Sequence, residues 1–247
     1  MKKKLTLLFA AVLFIGGICV LLYPTARTAA FRKAEQETIH QFAQYRAEYV
    51  QPETVPSSVT PTEEGKRFPE LWGACVEYNE RLYKTHQAAF TAETLELPSL
   101  DLTEYGWDNE VFATLSIPTA EIEAPLYLGA SACNLNRGGA ILGQTSMPVG
   151  GENTTCVIAG HRTWSAVVHF RSLEDVEIGD PVYLTNPWET LRYQVISVEV
   201  IPPDSLDLVR IQPGRDLLSV FTCNYSATQR VLVTCERTKE NENEPNH

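Results

Sequence analysis

No CxxC pair, zinc-finger spacing or HExxH run occurs in this sequence, although it holds six cysteines and five histidines. A metal site therefore has no ligand pattern to rest on, and neither a metal nor another cofactor is expected. The acidic residues do not fall into a calcium-loop spacing either. Basic residues are in deficit: 20 Lys plus Arg stand against 31 Asp plus Glu, a net charge of -11. Nucleic acid is excluded as a partner on that balance, because phosphate binding wants a basic patch. Internal repeats are absent, and so is any helical pattern alternating with the strand-like runs, as a parallel α/β sheet would need.

What the chain does have begins at its N-terminus. After MKKK, residues 5–23 read LTLLFAAVLFIGGICVLLY without one charge. A helix crossing a bilayer needs about 20 such residues, whereas the apolar region of a signal peptide runs to roughly 7–15. The stretch reads as an uncleaved, single-pass membrane anchor. The alternative is a secretory signal cut after TARTAA, and either one exports the rest of the chain. Lysines precede the span but Arg27, Arg32 and Lys33 follow it, so charge asymmetry sets the orientation only weakly.

Beyond the anchor the pattern is first helical, then β. In residues 31–50, Ile39, Phe42 and Tyr45 recur at steps of three, an amphipathic helix. Pro52, Pro56 and Pro61 break it. PELWGACVEYNERLYKTHQAA, residues 69–89, reads as a second helix with Pro69 in its first turn and Leu71, Cys75, Tyr78 and Leu82 on one face. From about residue 111, the runs FATLSIP, APLYLG, TTCVIAGH, DPVYLTN, LRYQVISVEVIP, LLSVFTCN and RVLVTCER are short, rich in β-branched residues and separated by Gly, Pro, Asn and Asp. The expected fold is mainly β, a closed or nearly closed barrel behind a helical extension. The divisions are a flank at 1–4, the anchor at 5–23, a helical extension with a Pro-rich linker at 24–103, the barrel at 104–238 and a charged, disordered tail at 239–247.

Candidate chemistry lies at three strand ends. Cys223 closes LLSVFTC, Arg230 opens RVLVTCER after the connection NYSATQ, and His161 follows the apolar run CVIA in Gly160-His161-Arg162. Loops at one barrel rim can bring these together. A thiolate attacks a carbonyl carbon, an imidazole exchanges the protons of thiol and leaving amine, and a guanidinium steadies the oxyanion or the substrate. Taken singly, each has a plainer reading: a buried thiol, a structural histidine, a surface strand charge. His40 and His86 fall in the helical segments, His247 in the tail, and His169 near His161. Cys19 lies in the span, Cys75 on a helix face, Cys133 in a loop, and Cys156 and Cys235 within strands. Free thiols are the default, and a Cys156–Cys235 link between neighbouring strands stays open in an exported chain.

ATLSIPTAEIEAPLYLGAS, LGQTSMPVGGENTTCVIAGHR, VYLTNPWETLRYQVISV and SVFTCNYSATQRVLV together resemble the sortases, cysteine transpeptidases of the Gram-positive surface. MPVGGENTTCVIAGHR and the helical YNERLYKTHQ are similar to the class C, pilin-polymerising branch. The resemblance implies a β-barrel of about eight strands with short helices. It matches Cys223 to the family's nucleophile, His161 to its histidine, Arg230 to its arginine and Thr222 to the threonine before the nucleophile. It further implies cleavage of an LPxTG-like sorting signal between Thr and Gly on an exported protein. The acceptor would be a pilin lysine, or alternatively a peptidoglycan amine; a weakly active sortase-like pilus assembly factor is the remaining alternative.

Departures from the pattern are equally specific. The loop TCNYSATQR is shorter than the TCxPYxxNxHR common in class C and lacks its Pro and the His beside its Arg. No Asp-Pro-aromatic lid motif precedes the barrel; DLTEYGWDNE stands there, with Trp107 and Asp108 as a lid substitute or, more simply, a linker. The chain given ends in a polar tail, so a single N-terminal anchor is expected.

Overall fold

The computed structural model describes residues 2–50, 68–162, 170–226 and 228–238. The proline breaker at 52–61, His169 and the tail at 239–247 lie outside them.

The anchor and the first predicted helix are one element. Helix α1 runs Lys2–Tyr45 through Pro24 and ends in a π-helical turn, Arg46–Val50. Proline removes a helical N–H, and hydroxyls near it can re-satisfy the backbone. Thr25 Oγ1 donates to Leu22 O at 2.7 Å and Thr28 Oγ1 to Pro24 O at 3.0 Å. Phe14, Val20 and Leu21 are largely exposed, while Phe42 is buried. The apolar half of α1 is therefore left uncovered by the described residues, and the other half docks on the barrel.

Helix α2, Pro69–Lys84, buries the expected face of Leu71, Cys75, Tyr78 and Leu82. It stops five residues short of the expected end. Thr85 Oγ1 bonds back to Arg81 O, and His86 and Gln87 take positive φ, which turns the chain. His86 thus sits past the helix. Buried Asn79 fastens α2 to the barrel: its Oδ1 accepts from Met147 N at 2.7 Å and its Nδ2 donates to Met147 O at 3.2 Å.

Eight strands close a barrel: β1 (Ala113–Ile117), β2 (Ile122–Leu128), β3 (Gly139–Ile141), β4 (Thr154–Ala159), β5 (Pro181–Thr185), β6 (Thr190–Ile201), β7 (Asp216–Cys223) and β8 (Arg230–Arg237). Their order around the barrel is β1-β2-β3-β4-β7-β8-β6-β5. Strand β3, three residues beginning with Gly, matches none of the seven runs seen in the sequence. Its neighbours hold it: β2 pairs with it in parallel and β4 antiparallel. Strands β4 and β7 are also parallel, their crossover carrying the β5–β6 hairpin where an α/β unit would have a helix.

Leu115, Ile141, Ile158, Leu184, Val220 and Val233 belong to the principal core and are almost wholly buried. Each contributes about 1.5–3 kcal/mol by leaving water. A second apolar cluster, Phe90, Leu142, Val157, Ala159, Ile201, Val209 and Leu232, includes the strand positions of opposite phase, so part of the barrel's outer face is covered as well. Cys156 and Cys235 both face the principal core, but β7 separates their strands: Cys156 aligns with Leu218, and Leu218 with Cys235. Two strand spacings are about 9.5 Å, beyond the roughly 7 Å a disulfide spans. The notion that they sit on neighbouring strands is corrected, and both thiols are free.

Candidate active site

The order β4-β7-β8 decides what meets at the rim. The parallel register pairs Ala159 with Phe221 at the end of β4. Two residues further along each chain stand His161 and Cys223. The antiparallel register then pairs Cys223 with Arg230 directly. Opposed residues on antiparallel strands share a face, with Cα atoms about 5 Å apart. His161, Cys223 and Arg230 thus follow one another across three adjacent strands. All three are half-buried, and Cys223 has the phase of Phe221, which packs on the outer apolar cluster.

Local contacts fix this corner. Gly160 N donates to Phe221 O at 3.2 Å. Thr222, 1% exposed, turns inward and donates its hydroxyl to Gly160 O at 2.8 Å. The strand carrying Cys223 is thereby tied to the residue before His161. On the other side, Phe170 N donates to His161 O at 3.1 Å. A Cβ on residue 160 would lie 1.7 Å from the Phe170 ring, so only glycine admits that ring.

The Arg162 side chain is engaged by Glu174. Its guanidinium donates twice to Glu174, at 2.7 Å each, and lies 5.9 Å from the ring centroid of Tyr225. Those hydrogen bonds hold the Glu174 carboxyl below its ordinary range. The connection after Cys223 folds on Asn224: its N–H donates to Gln229 O at 3.0 Å, and its Oδ1 accepts from Gln229 N and the Ser226 hydroxyl. Arg230 donates to Gln229 O at 3.4 Å.

The remaining cysteines are placed differently. Burial pushes the Cys235 thiol up to about 12 and those of Cys75 and Cys156 higher still, so they stay protonated at neutral pH. Cys19 and Cys133 are exposed. His40 is exposed on α1 and His86 exposed beyond α2, both apart from the strand ends. Among the described residues no group of three or more His, Cys, Asp or Glu side chains is arranged to hold a metal.

Trp107 and Asp108 do not cover the thiol. Trp107 is 1% exposed among Phe42, Tyr45, Phe68 and Phe112, and Asp108 accepts a 2.6 Å hydrogen bond from Tyr45. Phe112 leads into the start of β1, whereas Cys223 lies at the rim where β1 ends.

A family model described as the sortase domain matches residues 115–238, half of the chain. The chain belongs to the sortase family. Its curated relatives include Sortase A of Streptococcus agalactiae serotype III (strain NEM316), 27% identical over 136 residues, covering 53% of this chain and 55% of that one. The chain thus spans about half the length of that relative. Among solved structures, Streptococcus agalactiae Sortase C1 superposes with a TM-score of 0.67 at 26% identity, covering 84% of this chain and 97% of the other. The pilus-related Sortase C of Group B Streptococcus gives 0.56 at 26%, over 68% and 91%. Within the sortase family the likeness is to class C, and the closed eight-stranded barrel agrees. One helix among the described residues, α1, is long and apolar enough to cross a membrane. It serves this sortase as a single-pass anchor, with the barrel on the extracellular side.

Proposed function

We propose that the chain is a cysteine transpeptidase. It acts on exported proteins bearing an LPxTG-like sorting signal and joins them to the lysine amine of a pilin subunit. The observation carrying this reading is the succession of His161, Cys223 and Arg230 on adjacent strands β4, β7 and β8.

The Cys223 thiolate attacks the threonine carbonyl carbon. A C–S bond forms, the Thr–Gly C–N bond breaks, and His161 gives a proton to the departing amine. Arg230, opposite the nucleophile, steadies the oxyanion and the substrate backbone. The acceptor amine then attacks the thioester, passes a proton to His161 and releases the thiolate as an amide forms. The apolar outer cluster beside Cys223, with Leu206 and Phe221 packed against it, suits the apolar residues of such a signal.

The class C likeness favours a pilin acceptor. A peptidoglycan amine is the alternative acceptor; the named curated relative is a Sortase A rather than a Sortase C. The two are separated by incubating the enzyme with an LPxTG peptide and either a pilin-lysine peptide or a glycine-type amine, with products read by mass. A covalent acyl-enzyme that disappears in Cys223→Ala supports the transpeptidase reading. No such species with any sorting-signal variant would sink it.

A further inference from the structure

Strand β6 ends level with the catalytic row: Ile201 pairs with Arg230, and Arg230 with Cys223. The connection that follows, residues 202–215, enters β7 at Asp216, opposite Thr154 at the start of β4. Its turn Leu206–Val209 puts Val209 into the outer apolar cluster and packs Leu206 against it; Phe221 packs on the same cluster. The connection therefore runs along the barrel's outer face beside the thiol. Its first half bonds to itself, Ser205 N–H to Pro202 O and Leu208 N–H to Ser205 O. Arg210 and Ile211 fasten it to other parts of the chain.

Gln87, beyond α2, is the centre of that fastening. Its Oε1 accepts from Ile211 N at 2.8 Å, its Nε2 donates to Gln144 O at 3.0 Å, and its backbone O accepts from the Arg210 guanidinium at 3.5 Å. Thr155 Oγ1 adds a 3.3 Å bond to Arg210 O. The Arg210 guanidinium also lies 5.4 Å from the ring centroid of Phe90, whose N–H donates to Gln87 O. Gln87 is only 3% exposed. His86 and Gln87 hold φ of 51° and 49° in succession, a left-handed pair that strains residues carrying a Cβ. A helix end needs one such residue, not two. The second places the Gln87 amide between the β3–β4 and β6–β7 connections, so the strain accompanies a clamp.

We infer that Gln87 is a positioning residue for substrate: it sets the Leu206–Val209 turn against the outer cluster, and with it the fit of the sorting signal's apolar residues beside Cys223. The inference rests on the transpeptidase reading. Gln87 acts through the connection and touches no reacting atom. Its loss therefore weakens binding of the signal and spares the chemistry at the thiol. It spares the acceptor as well, because the amine attacks only after the signal is covalently held.

The test is steady-state kinetics of the full, detergent-solubilised chain with an LPxTG peptide and a pilin-lysine peptide, rates being normalised to active thiol. Gln87→Gly removes the amide and adopts the left-handed backbone without strain. Gln87→Asn keeps an amide and tolerates the same φ, but falls one methylene short of its partners. His86→Gly relaxes the neighbouring strain and leaves the clamp in place. We expect KM for the LPxTG peptide to rise about tenfold or more in both Gln87 variants with kcat within about threefold, the pattern of a mispositioned binding wall. KM for the pilin-lysine peptide should stay within about threefold, and His86→Gly should match the parent. Amide exchange at Ile211 should quicken in both Gln87 variants and not in His86→Gly. An LPxTG KM unchanged in both Gln87 variants, whatever their melting, would overturn the inference alone. Absence of an acyl-enzyme in the parent would overturn the transpeptidase reading and the inference with it.

Discussion

Gly160 packs directly against Phe170: an edge of the aromatic ring occupies the space a Cβ on residue 160 would take, 1.7 Å away. Phe170 is fully buried and its N–H holds His161 O, so the ring cannot retreat without moving the residue next to the thiol. Gly160→Ala should cost about 1–3 kcal/mol by overpacking and lower turnover beyond what the stability loss explains. The second variant Phe170→Leu, added to Gly160→Ala, should recover part of the activity by vacating the ring's volume. Thermal unfolding and peptide turnover of the single and double variants check both. A Gly160→Ala protein with native melting and native turnover would refute the account.

Arg230 stands opposite Cys223, and its proposed work depends on a rigid, planar fork. Arg230→Lys keeps the charge but loses that geometry. We expect kcat to fall by about a hundredfold or more, as when one oxyanion donor is removed, with melting little changed because residue 230 is half-exposed at a strand end. A kcat within a few fold of the parent would mean that charge alone suffices.

Asp216 gives a pH dependence of stability. Burial, the largest influence, pushes its carboxyl above the ordinary 3.8, although Gly151 N–H, the Tyr193 hydroxyl, the Thr154 hydroxyl and the nearby Arg237 all work in the other direction. Between 3.8 and the raised native value, the folded chain binds more proton than the unfolded one. The contribution of Asp216 is therefore fully present below 3.8 and is lost as pH rises through the native value. Asp216→Asn keeps the shape and removes the titration. Relative to the parent it should gain stability on going from mildly acidic to neutral pH, as measured by denaturant unfolding at both. A gain in the acidic direction would reverse the sign and refute the assignment.

The six cysteines should separate by reactivity. In the detergent-solubilised native chain, a charged alkylating reagent should modify Cys133 and Cys223, while Cys75, Cys156 and Cys235 react only after denaturation. Peptide mapping reads this directly. Recovery of a Cys156–Cys235 disulfide under non-reducing conditions would contradict the placement of β7 between them.

Seven strands were legible because β-branched runs bounded by Gly and Pro have few other ways to bury their side chains. Strand β3 was not, since Gly139–Ile141 becomes a strand only through neighbours on both sides. The apolar face of α2 was readable in the spacing of Leu71, Cys75, Tyr78 and Leu82. Its end was not, because the turn at His86 and Gln87 is stabilised by distant groups: the Gln87 side chain donates to Gln144 O and accepts from Ile211 N. Pro24 lies inside α1 and does not end it. At the candidate site, residue types and strand ends named Cys223, His161 and Arg230. The parallel alignment of β4 with β7 that puts His161 beside Cys223 has no local signal, because it depends on a crossover of some sixty residues that avoids the usual helix.

Trp107 tests whether the stretch before the barrel is a lid or a fastening. A lid residue, once removed, frees the site and raises turnover. A fastening residue, once removed, loosens the fold and leaves the site chemistry alone. The tryptophan is wedged among Phe42 and Tyr45 of α1, Phe68 before α2 and Phe112 before β1, with ring centroids 4.9–6.4 Å apart. It therefore joins both helices to the barrel at the end remote from Cys223. Trp107→Ala should cost about 3–5 kcal/mol and increase the mobility of α1 against the barrel, seen as faster amide exchange around Phe42 and Tyr45. Turnover of a soluble peptide, measured well below the lowered melting temperature, should not rise. A rise in turnover with unchanged melting would restore the lid.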